Sequence, residues 1–320
     1  GGTPEFFADL LAVWEIGACA ICVNPMLTLP ELSAILVQTK PRVVISSSAG
    51  LRQGRIETCV ASLNDESLVS VDDAYGDCGS ALDDPALILF TSGTTGAPKG
   101  VVHSFRSLLA RLALNREHIP RTERKVTLCP LPTHFGHGLI GNALTPLLDG
   151  GHVVLVTGDL QTVAALGELI DEYGVTFMSS VPTMWKIVAK VGARPRKNSL
   201  RRVHVGSAPL SASLWSNIIE WSGTQNVVNM YGMAETANWA GGASAAEYAL
   251  EDGVVGQPWG GQFAVLGTAG GLRARGSGEV LVQSPSLMTG YYDQPDLSRD
   301  VLVGGWFRTG DLGEIDARGV

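Results

Sequence analysis

A loop rich in glycine and hydroxyl side chains follows a short apolar run in the first third of the chain. The apolar run spans 86–90, and the loop at 91–100 contains four hydroxyl side chains, three glycines and one lysine, Lys99. Glycine lets backbone N–H groups converge on an anion, hydroxyl groups donate to phosphate oxygens, and a lysine adds positive charge. We therefore predict a buried strand that leads into a polyphosphate-binding loop.

Two other interpretations fit this loop less well. A Walker A motif requires G-x-x-x-x-G-K-[ST] at the start of a helix, whereas Pro98 precedes this lysine and Gly100 follows it. A P-loop phosphotransferase is therefore disfavoured. A flexible linker is expected between polar flanks, whereas this loop lies between apolar residues at 86–90 and 101–102.

The composition favours a globular protein with a large core and disfavours a nucleic-acid partner. The chain has 320 residues, of which 45% are hydrophobic, and a formal net charge of −8 at pH 7. An acidic surface repels the phosphate backbone of nucleic acids, so we expect no nucleic-acid binding. Polyphosphate binding then requires positive charge that is concentrated locally, as Lys99 provides in the loop.

Neither a membrane span nor a disulfide framework is predicted. The longest apolar stretch, Leu10–Val23, is interrupted by Glu15 and Gly17 and is too short to span a bilayer. The chain opens without a basic leader, so we predict no signal peptide and a cytoplasmic protein. The five cysteines are scattered, and the pair Cys19 and Cys22 lies in an apolar run, which predicts buried, reduced thiols.

Alternating patterns predict an α/β fold. The predicted strands are at 42–46, 68–71, 86–90, 126–129, 152–156, 175–179, 202–205 and 226–229. The predicted helices are a helix from Phe6 to near Gly17, one capped by Thr28, one at 105–116 capped by Ser104, and helices near 137–148, 161–173, 182–191 and 211–221. Such alternation is typical of parallel sheets covered on both faces, whose ligands bind beyond the carboxyl ends of the strands. After about residue 250, glycines and β-formers predict a small β-rich lobe.

Four segments together resemble the adenylate-forming (AMP-binding) superfamily, which contains acyl- and aryl-CoA ligases, luciferases and the adenylation domains of peptide synthetases. The loop at 91–100 is similar to the family's phosphate loop nearly residue for residue. Asn229–Thr236 is similar to the family's Tyr-Gly-x-Thr-Glu segment, and Gly305–Gly313 to a segment that contains a ribose-binding aspartate. Gly206–Leu210 is similar to the segment that lines the adenine, and the resemblance extends from the first helix to Val320.

The resemblance implies the architecture. We expect two parallel doubly wound sheets with flanking helices plus a small β-barrel-like lobe, divided into subdomains at 1–125, 126–252 and 253–320. The chain would be the large N-terminal domain of such a ligase, truncated at both ends. The family's small C-terminal domain, which carries a catalytic lysine and helps to build the CoA tunnel, would be absent, so we expect this chain alone to be impaired in catalysis.

The resemblance also implies a nucleotide site. Lys99, Glu235 and Thr95 are the predicted catalytic residues, and Glu235 would hold Mg²⁺ through a hard carboxylate oxygen. Tyr231 would stack on adenine, and the acceptor-only carboxylate of Asp311 suits the ribose hydroxyls. The predicted ATP- and AMP-binding residues are Thr91, Ser92, Gly93, Thr94, Thr95, Gly96, Lys99, Ser207, Ala208, Pro209, Asn229, Met230, Tyr231, Gly232, Met233, Ala234, Glu235 and Asp311.

The chain departs from the family pattern at Ala234, where the family usually has a threonine whose hydroxyl contacts the α-phosphate. The departure removes one hydrogen bond to the transferring group unless a neighbour such as Thr236 supplies the hydroxyl. A catalytically silent nucleotide- or acid-binding module is therefore one alternative.

Relatives that activate carboxylates carry a histidine or an aromatic residue that gates the acid pocket, and we predict that His134 has this role. Relatives that activate amino acids place an aspartate nearby to bind the ammonium group, whereas 130–142 contains no acidic residue. We therefore predict an apolar carboxylic acid without an amino group, with Trp185 as a further candidate for the pocket wall. The predicted acid-binding residues are His134, Gly206, Gly232, Met233 and Trp239.

These expectations combine into an acid–CoA ligase that uses ATP, Mg²⁺ and CoA and forms acyl-AMP before the thioester. An acyl-AMP ligase that loads a carrier protein is the alternative within the family. The lack of an obvious extra segment between 230 and 320 favours CoA. The identity of the acid and the oligomeric state, with a homodimer among the alternatives, are left open.

Overall fold

A computed structural model describes residues 2–46, 59–61 (backbone only), 81–91, 98–267 and 270–320. The strands are β1 Ala20–Cys22, β2 Val43–Ile45, β3 Cys59–Ala61, β4 Pro85–Thr91, β5 Lys99–Ser104, β6 Val126–Cys129, β7 His152–Leu155, β8 Phe177–Ser180, β9 Arg202–Val205, β10 Val227–Met233, β11 Asn238–Ser244, β12 Gln257–Pro258, β13 Gln262–Leu266, β14 Leu272–Arg273, β15 Gly276–Gln283, β16 Gly290–Tyr291, β17 Leu302–Val303 and β18 Trp306–Ile315. The helices are α1 Pro4–Glu15, α2 Leu29–Thr39, α3 Phe105–His118, α4 Thr145–Leu147, α5 Leu160–Ala164, α6 Leu166–Tyr173, α7 Pro182–Val191, α8 Ala212–Ser222 and α9 Pro295–Val301, with a π-helix at His137–Leu144 and a 3₁₀ turn at Ala234–Thr236.

The largest sheet has seven strands in the order β12-β11-β10-β9-β8-β6-β7, and its strands from β10 to β7 run parallel. Every residue of β8 is buried, as expected for a strand covered on both faces. On one face α7 and α8 contribute Trp185 and Trp215 to the core. The predicted α/β class, with a parallel sheet and flanking helices, is confirmed.

The first sheet has the order β1-β4-β5-β16 and differs from the expected parallel arrangement. Strands β1 and β4 are parallel, but β5 is antiparallel to both β4 and β16. Only residues 92–98 connect β4 to β5, and a parallel connection needs a crossover of about a dozen residues or more. Strand β16 comes from the stretch predicted as the third subdomain, so that stretch also completes the first sheet.

The third sheet is antiparallel throughout, in the order β14-β13-β15-β18-β17. It fits the predicted β-barrel-like lobe. Strands β2 and β3 form a separate parallel pair. The subdomain boundaries near 125 and 252 stay predictions.

Local sequence explains most helix ends. Before α2, the Glu31 carboxylate accepts a hydrogen bond from the backbone N–H of Thr28 (2.8 Å), and before α3 the Ser104 hydroxyl accepts one from the backbone N–H of Ser107 (3.2 Å). The helix predicted at 161–173 breaks at Ala165. The helix predicted at 137–148 begins as a π-helix. Strand β1 was not predicted. The strand predicted at 68–71 lies outside the described residues.

Within the described segments, no helix is both long enough and apolar enough to cross a bilayer. The cysteines described there, Cys19, Cys22 and Cys129, are free, and the last two are buried, in agreement with the predicted reduced thiols.

Two glycines in the segment that precedes β12 allow a stability test. Gly253 and Gly256 both have positive φ, but a Cβ at Gly256 would lie 2.0 Å from the carbonyl oxygen of Gly242, whereas one at Gly253 meets no atom within 4 Å. We expect Gly253→Ala to cost about 1–2 kcal/mol of backbone strain, and Gly256→Ala to cost about 1–3 kcal/mol more because of the clash with β11. Thermal unfolding of both variants measures the difference, and equal melting temperatures would contradict the close approach.

Candidate active site

A cleft of about 490 Å³ lies between the first sheet, the third sheet and the turn that connects β10 to β11. The first sheet contributes Thr91 and Lys99, which face each other as the last pair of β4 and β5. The turn after β10 contributes Glu235, and β18 contributes Arg308 and Thr309. The cleft therefore combines side chains that lie more than 200 positions apart in the sequence.

Tyr291 connects the two charged residues that the sequence assigned to phosphate and metal. Its hydroxyl donates a hydrogen bond to Oε1 of Glu235 (2.8 Å), and Nζ of Lys99 lies 5.6 Å from the centroid of its ring. Burial and the negative charge of Glu235 raise the pKa of Tyr291, so its hydroxyl stays a donor at neutral pH. Sequence reasoning missed this contact, because Tyr291 lies outside the four segments that carry the family resemblance.

The predicted adenine and ribose residues also come together. The Tyr231 hydroxyl donates to Oδ2 of Asp311 (2.7 Å), and its ring packs edge-on against Phe263 at 5.9 Å. Burial, followed by the hydrogen bond to Asp311, raises the pKa of Tyr231. Asp311 is exposed, so its second oxygen can accept hydrogen bonds from a ligand. The pair joins the end of β10 to β18.

The turn that carries Glu235 is held through its neighbours' carbonyl groups. His103 is buried, which lowers its pKa to about 4, so the ring is neutral and its Nε2 lies 2.7 Å from the Ala234 carbonyl oxygen. Nε of the fully buried Arg111 donates to the Thr236 carbonyl oxygen (3.3 Å). Sequence reasoning missed both residues. The available signal was an arginine on the apolar stripe of α3, between Leu108 and Leu112 along the chain.

Thr236 does not supply the hydroxyl that Ala234 lacks. Its side chain is fully buried, and its hydroxyl lies 2.7 Å from the Asn238 carbonyl oxygen and 3.0 Å from that of Met233. The Thr236 hydroxyl oxygen also accepts a hydrogen bond from the Met233 backbone N–H (3.1 Å). The hydroxyl is thus used within the turn, which disfavours the alternative in which Thr236 replaces the missing hydroxyl of residue 234.

Other predicted nucleotide residues lie in two settings. Ser207, Ala208 and Pro209 are exposed after β9, whereas Asn229 and Met230 are buried in β10, where the Asn229 amide donates to the Val254 carbonyl oxygen (2.7 Å). The remaining predicted loop residues lie outside the described part of the chain: Ser92, Gly93, Thr94, Thr95 and Gly96. All of these assignments stay predictions.

A different histidine from the predicted one contacts the loop after β9. His137 is buried in the π-helix, with Nδ1 2.9 Å from the Ser207 hydroxyl and Nε2 2.5 Å from that of Ser179. Burial lowers the pKa of His137 to about 4, so it is neutral. The predicted His134 is half-buried against Phe135, and its Nε2 has no hydrogen-bond partner in the described part of the chain.

The π-helix explains why His137 occupies this position. Its hydrogen bonds connect residues five apart, as Thr145 N–H does to the Ile140 carbonyl oxygen. Asn142, five residues after His137, donates to the Ser179 carbonyl oxygen (2.8 Å). Both side chains therefore contact the same residue of β8.

Two of the other predicted acid-binding residues, Gly206 and Trp239, lie next to the His137 ring. A Cβ at Gly206 would lie 3.1 Å from Met230 and 3.8 Å from the His137 ring, which makes Gly206 a close neighbour of that histidine. Trp239 packs edge-on against the His137 ring at 5.7 Å.

Three further residues lie farther from this contact. Gly232 lies at a bulge in β10, where a Cβ would be 2.0 Å from the carbonyl oxygen of Asn238, the first residue of β11. Met233 packs in the cluster that contains Tyr291. Trp185 belongs to a separate core with Trp221 (5.3 Å), so it is not part of a pocket with His137.

The donor set fits a magnesium nucleotide better than a metal held by protein alone. No group of three or more histidine, cysteine, aspartate or glutamate side chains among the described residues could hold a metal ion. Mg²⁺ is usually bound by one or two carboxylates together with substrate phosphates, and Glu235 offers such a carboxylate beside Lys99 in the cleft.

Comparisons with known proteins agree with this geometry. The family described as AMP-binding enzyme matches residues 2–292. The chain is 32% identical to a sulfoacetate–CoA ligase from Cupriavidus necator, over 94% of this chain and 62% of that protein. It is 30% identical to a feruloyl-CoA synthase from Amycolatopsis sp, over 99% of this chain and 65% of that protein.

Solved structures agree as well. The inhibitor-bound N-terminal domain of FACL13 from Mycobacterium tuberculosis superimposes with a TM-score of 0.86 at 27% identity, over 99% of this chain and 82% of that chain. An O-succinylbenzoate coenzyme A synthetase from Bacillus subtilis, in complex with ATP and magnesium ion, has the same fold, with a TM-score of 0.86 at 24% identity over 99% of this chain and 66% of that chain.

The chain spans 62–65% of the length of these two curated relatives. The match to the family extends over residues 2–292, which confirms the predicted family and includes three of the four segments, whereas Gly305–Gly313 lies beyond it. This chain therefore belongs to the AMP-binding enzyme family.

Proposed function

We propose that this chain forms the nucleotide- and acid-binding part of an acid–CoA ligase. The observation that carries the proposal is that Lys99 and Glu235 line one cleft with Thr309 and Gly310 of β18, and that the next residue of that strand, Asp311, accepts the hydrogen bond of Tyr231. These residues offer a cation for phosphates, a carboxylate for a divalent ion, and an aromatic ring with an acceptor for a nucleoside. The names of the relatives, which are ligases or synthases that form CoA esters, support the reaction class.

In this proposal the substrate carboxylate attacks the α-phosphorus of ATP and pyrophosphate leaves, which gives an acyl-AMP. A thiol then displaces AMP. Lys99 holds the β- and γ-phosphates, and Tyr231 and Asp311 orient the adenosine. Mg²⁺, held by Glu235, would supply charge neutralisation for the phosphates. The first step therefore depends on positioning and electrostatics rather than on covalent help from the protein.

We further propose that the acid lacks an amino group and has an apolar body. The segment 130–142 has no acidic residue to pair with an ammonium group, and His137 is held neutral by burial. Met233 and Trp239 would add apolar surface. His134 stays a candidate for the entrance of the pocket.

CoA is the proposed acceptor because the names of both relatives, a sulfoacetate–CoA ligase and a feruloyl-CoA synthase, describe the formation of a CoA ester. Loading of a carrier protein is the alternative outcome. AMP release measured with CoA and with a phosphopantetheine-bearing carrier protein distinguishes the two acceptors.

The proposal predicts that the chain binds both Mg–ATP and AMP in calorimetric titrations. At high protein concentration, 3-phenylpropanoate should support ATP–pyrophosphate exchange better than phenylalanine, which has the same carbon skeleton plus an amino group. Binding of neither nucleotide would contradict the proposed function. Exchange with phenylalanine alone would contradict the proposal about the acid.

Replacement of Lys99 separates the phosphate end of the site from the nucleoside end. We expect Lys99→Ala to weaken Mg–ATP binding about 10- to 100-fold, since it removes charge-assisted hydrogen bonds to phosphate, and to leave AMP binding nearly unchanged. Lys186→Ala, which removes an exposed lysine from α7, is the matched control. Equal losses for both nucleotides would rule out the assignment of Lys99 to the β- and γ-phosphates.

Replacement of Asp311 should act on both nucleotides alike. Asp311→Asn keeps the shape but turns one acceptor oxygen into a donor, so we expect Mg–ATP and AMP to bind about tenfold more weakly. Glu314→Gln removes one exposed carboxylate from the same strand and serves as the control. A loss confined to Mg–ATP would show that Asp311 does not contact the ribose.

A further inference from the structure

We infer that Tyr291 is a positioning residue that holds the lysine and the carboxylate of this site apart and in place. The inference rests on the proposed function of the cleft, and it concerns how Lys99 and Glu235 are presented to a magnesium nucleotide. Tyr291 touches both of them, one through the ring and one through the hydroxyl.

The tyrosine itself is held firmly. Its side chain is 8% exposed and packs with Val101, Met288 and Phe307. Its backbone pairs with Val101 across β16 and β5, and its N–H donates to the Ser298 hydroxyl (2.8 Å). The hydroxyl of Tyr291 is therefore presented to Glu235 from a fixed point.

The hydrogen bond restricts the Glu235 carboxylate. Tyr291 occupies Oε1 at 2.8 Å, and no other described residue donates a hydrogen bond to Oε2, which therefore keeps its full acceptor capacity for a cation. An outer partner that fixes a metal-binding carboxylate commonly orients it and raises the affinity for the metal. Tyr291 has the geometry of such a partner.

The ring restricts Lys99. A cation over an aromatic face is attracted to the ring while its N–H donors remain available to other acceptors. Arg308, also at the cleft, pairs with Glu279 at 2.6 Å, whereas Lys99 forms no ion pair with a carboxylate among the residues that the structure describes. Lys99 therefore remains free to bind an anion.

Together, the ring contact and the hydrogen bond of Tyr291 oppose a direct ion pair between Lys99 and Glu235. Lys99 and Glu235 line the same cleft with opposite charges, and a direct ion pair between them would remove both from the nucleotide. Tyr291 instead occupies Oε1 of Glu235 and attracts the Lys99 ammonium to its ring. Substituting Tyr291 should consequently weaken binding of the magnesium-bound triphosphate but not of the nucleoside monophosphate.

The test measures the affinity of the chain for Mg–ATP and for AMP by calorimetry. Tyr291→Phe keeps the ring beneath Lys99 and removes the hydrogen bond, and we expect Mg–ATP to bind about tenfold more weakly with AMP unchanged. Tyr291→Leu also removes the ring, and its loss should be larger. Tyr292→Phe deletes the neighbouring hydroxyl, which donates a long hydrogen bond (3.4 Å) to the Thr39 carbonyl oxygen, and this variant should bind both ligands like the unchanged chain.

A second background tests whether Tyr291 acts through Glu235. In the Glu235→Gln variant, Tyr291→Phe should cause little further loss of Mg–ATP affinity, because the carboxylate that the hydroxyl orients is gone. An undiminished tenfold effect in this background would overturn the inference.

The remaining outcomes are distinct. If Tyr291→Phe weakens AMP and Mg–ATP equally, or fails to fold, Tyr291 is a structural residue and the inference is overturned. Unchanged Mg–ATP affinity in Tyr291→Phe overturns it too, and leaves the proposed function intact. If the unchanged chain binds neither nucleotide, the proposed function fails, and the inference fails with it.

Discussion

A buried guanidinium connects the parts of the chain that form the candidate site. Arg111 on α3 is fully buried and donates to the carbonyl oxygens of Thr236 and Trp259 and to the hydroxyls of Ser284 and Ser286. No carboxylate pairs with it in the described segments, and burial lowers its pKa to about 9. A buried charge is costly unless its donors are satisfied. The helix, the turn after β10 and the segment after β15 must therefore keep the positions in which these acceptors surround Arg111.

The Arg111 contacts help to explain why the backbone at Glu235 is fixed although its side chain faces a cleft. His103 and Arg111 bond to the carbonyl groups on either side of it, at Ala234 and Thr236, so the backbone of the turn is held from within the protein. The Glu235 side chain is then available for contacts with other sheets, such as its hydrogen bond with Tyr291 of the first sheet. The fold supplies rigidity through buried polar contacts and leaves the exposed side chains for the ligand.

Sequence patterns predicted the parts of the site whose chemistry is local. The phosphate loop, Tyr231 and Asp311 lie in short segments with characteristic residue types. The structure joins the last two by a hydrogen bond, and their roles toward a nucleotide stay predictions. Strand direction in the first sheet and the role of Arg111 depend on connection length and on partners more than a hundred residues away, which no local pattern records. His137 was missed for a related reason, since a π-helix changes which residues share a face. The helices predicted at 182–191 and 211–221 were recovered because their apolar spacing is local.

The π-helix also makes the number of residues in its segment matter as much as their identity. His137 and Asn142 reach the same residue of β8 because they are five positions apart in a helix with that repeat. Deleting one residue between them would favour an α-helix, in which each position turns by about 100°, and the histidine would rotate away from Ser179 and Ser207. Relatives that differ by a single insertion or deletion in this short segment would thus present another side chain to the loop after β9, even with every neighbouring residue retained. Length variation, and not only substitution, is a route by which the π-helix can change which side chains contact β8 and the loop after β9.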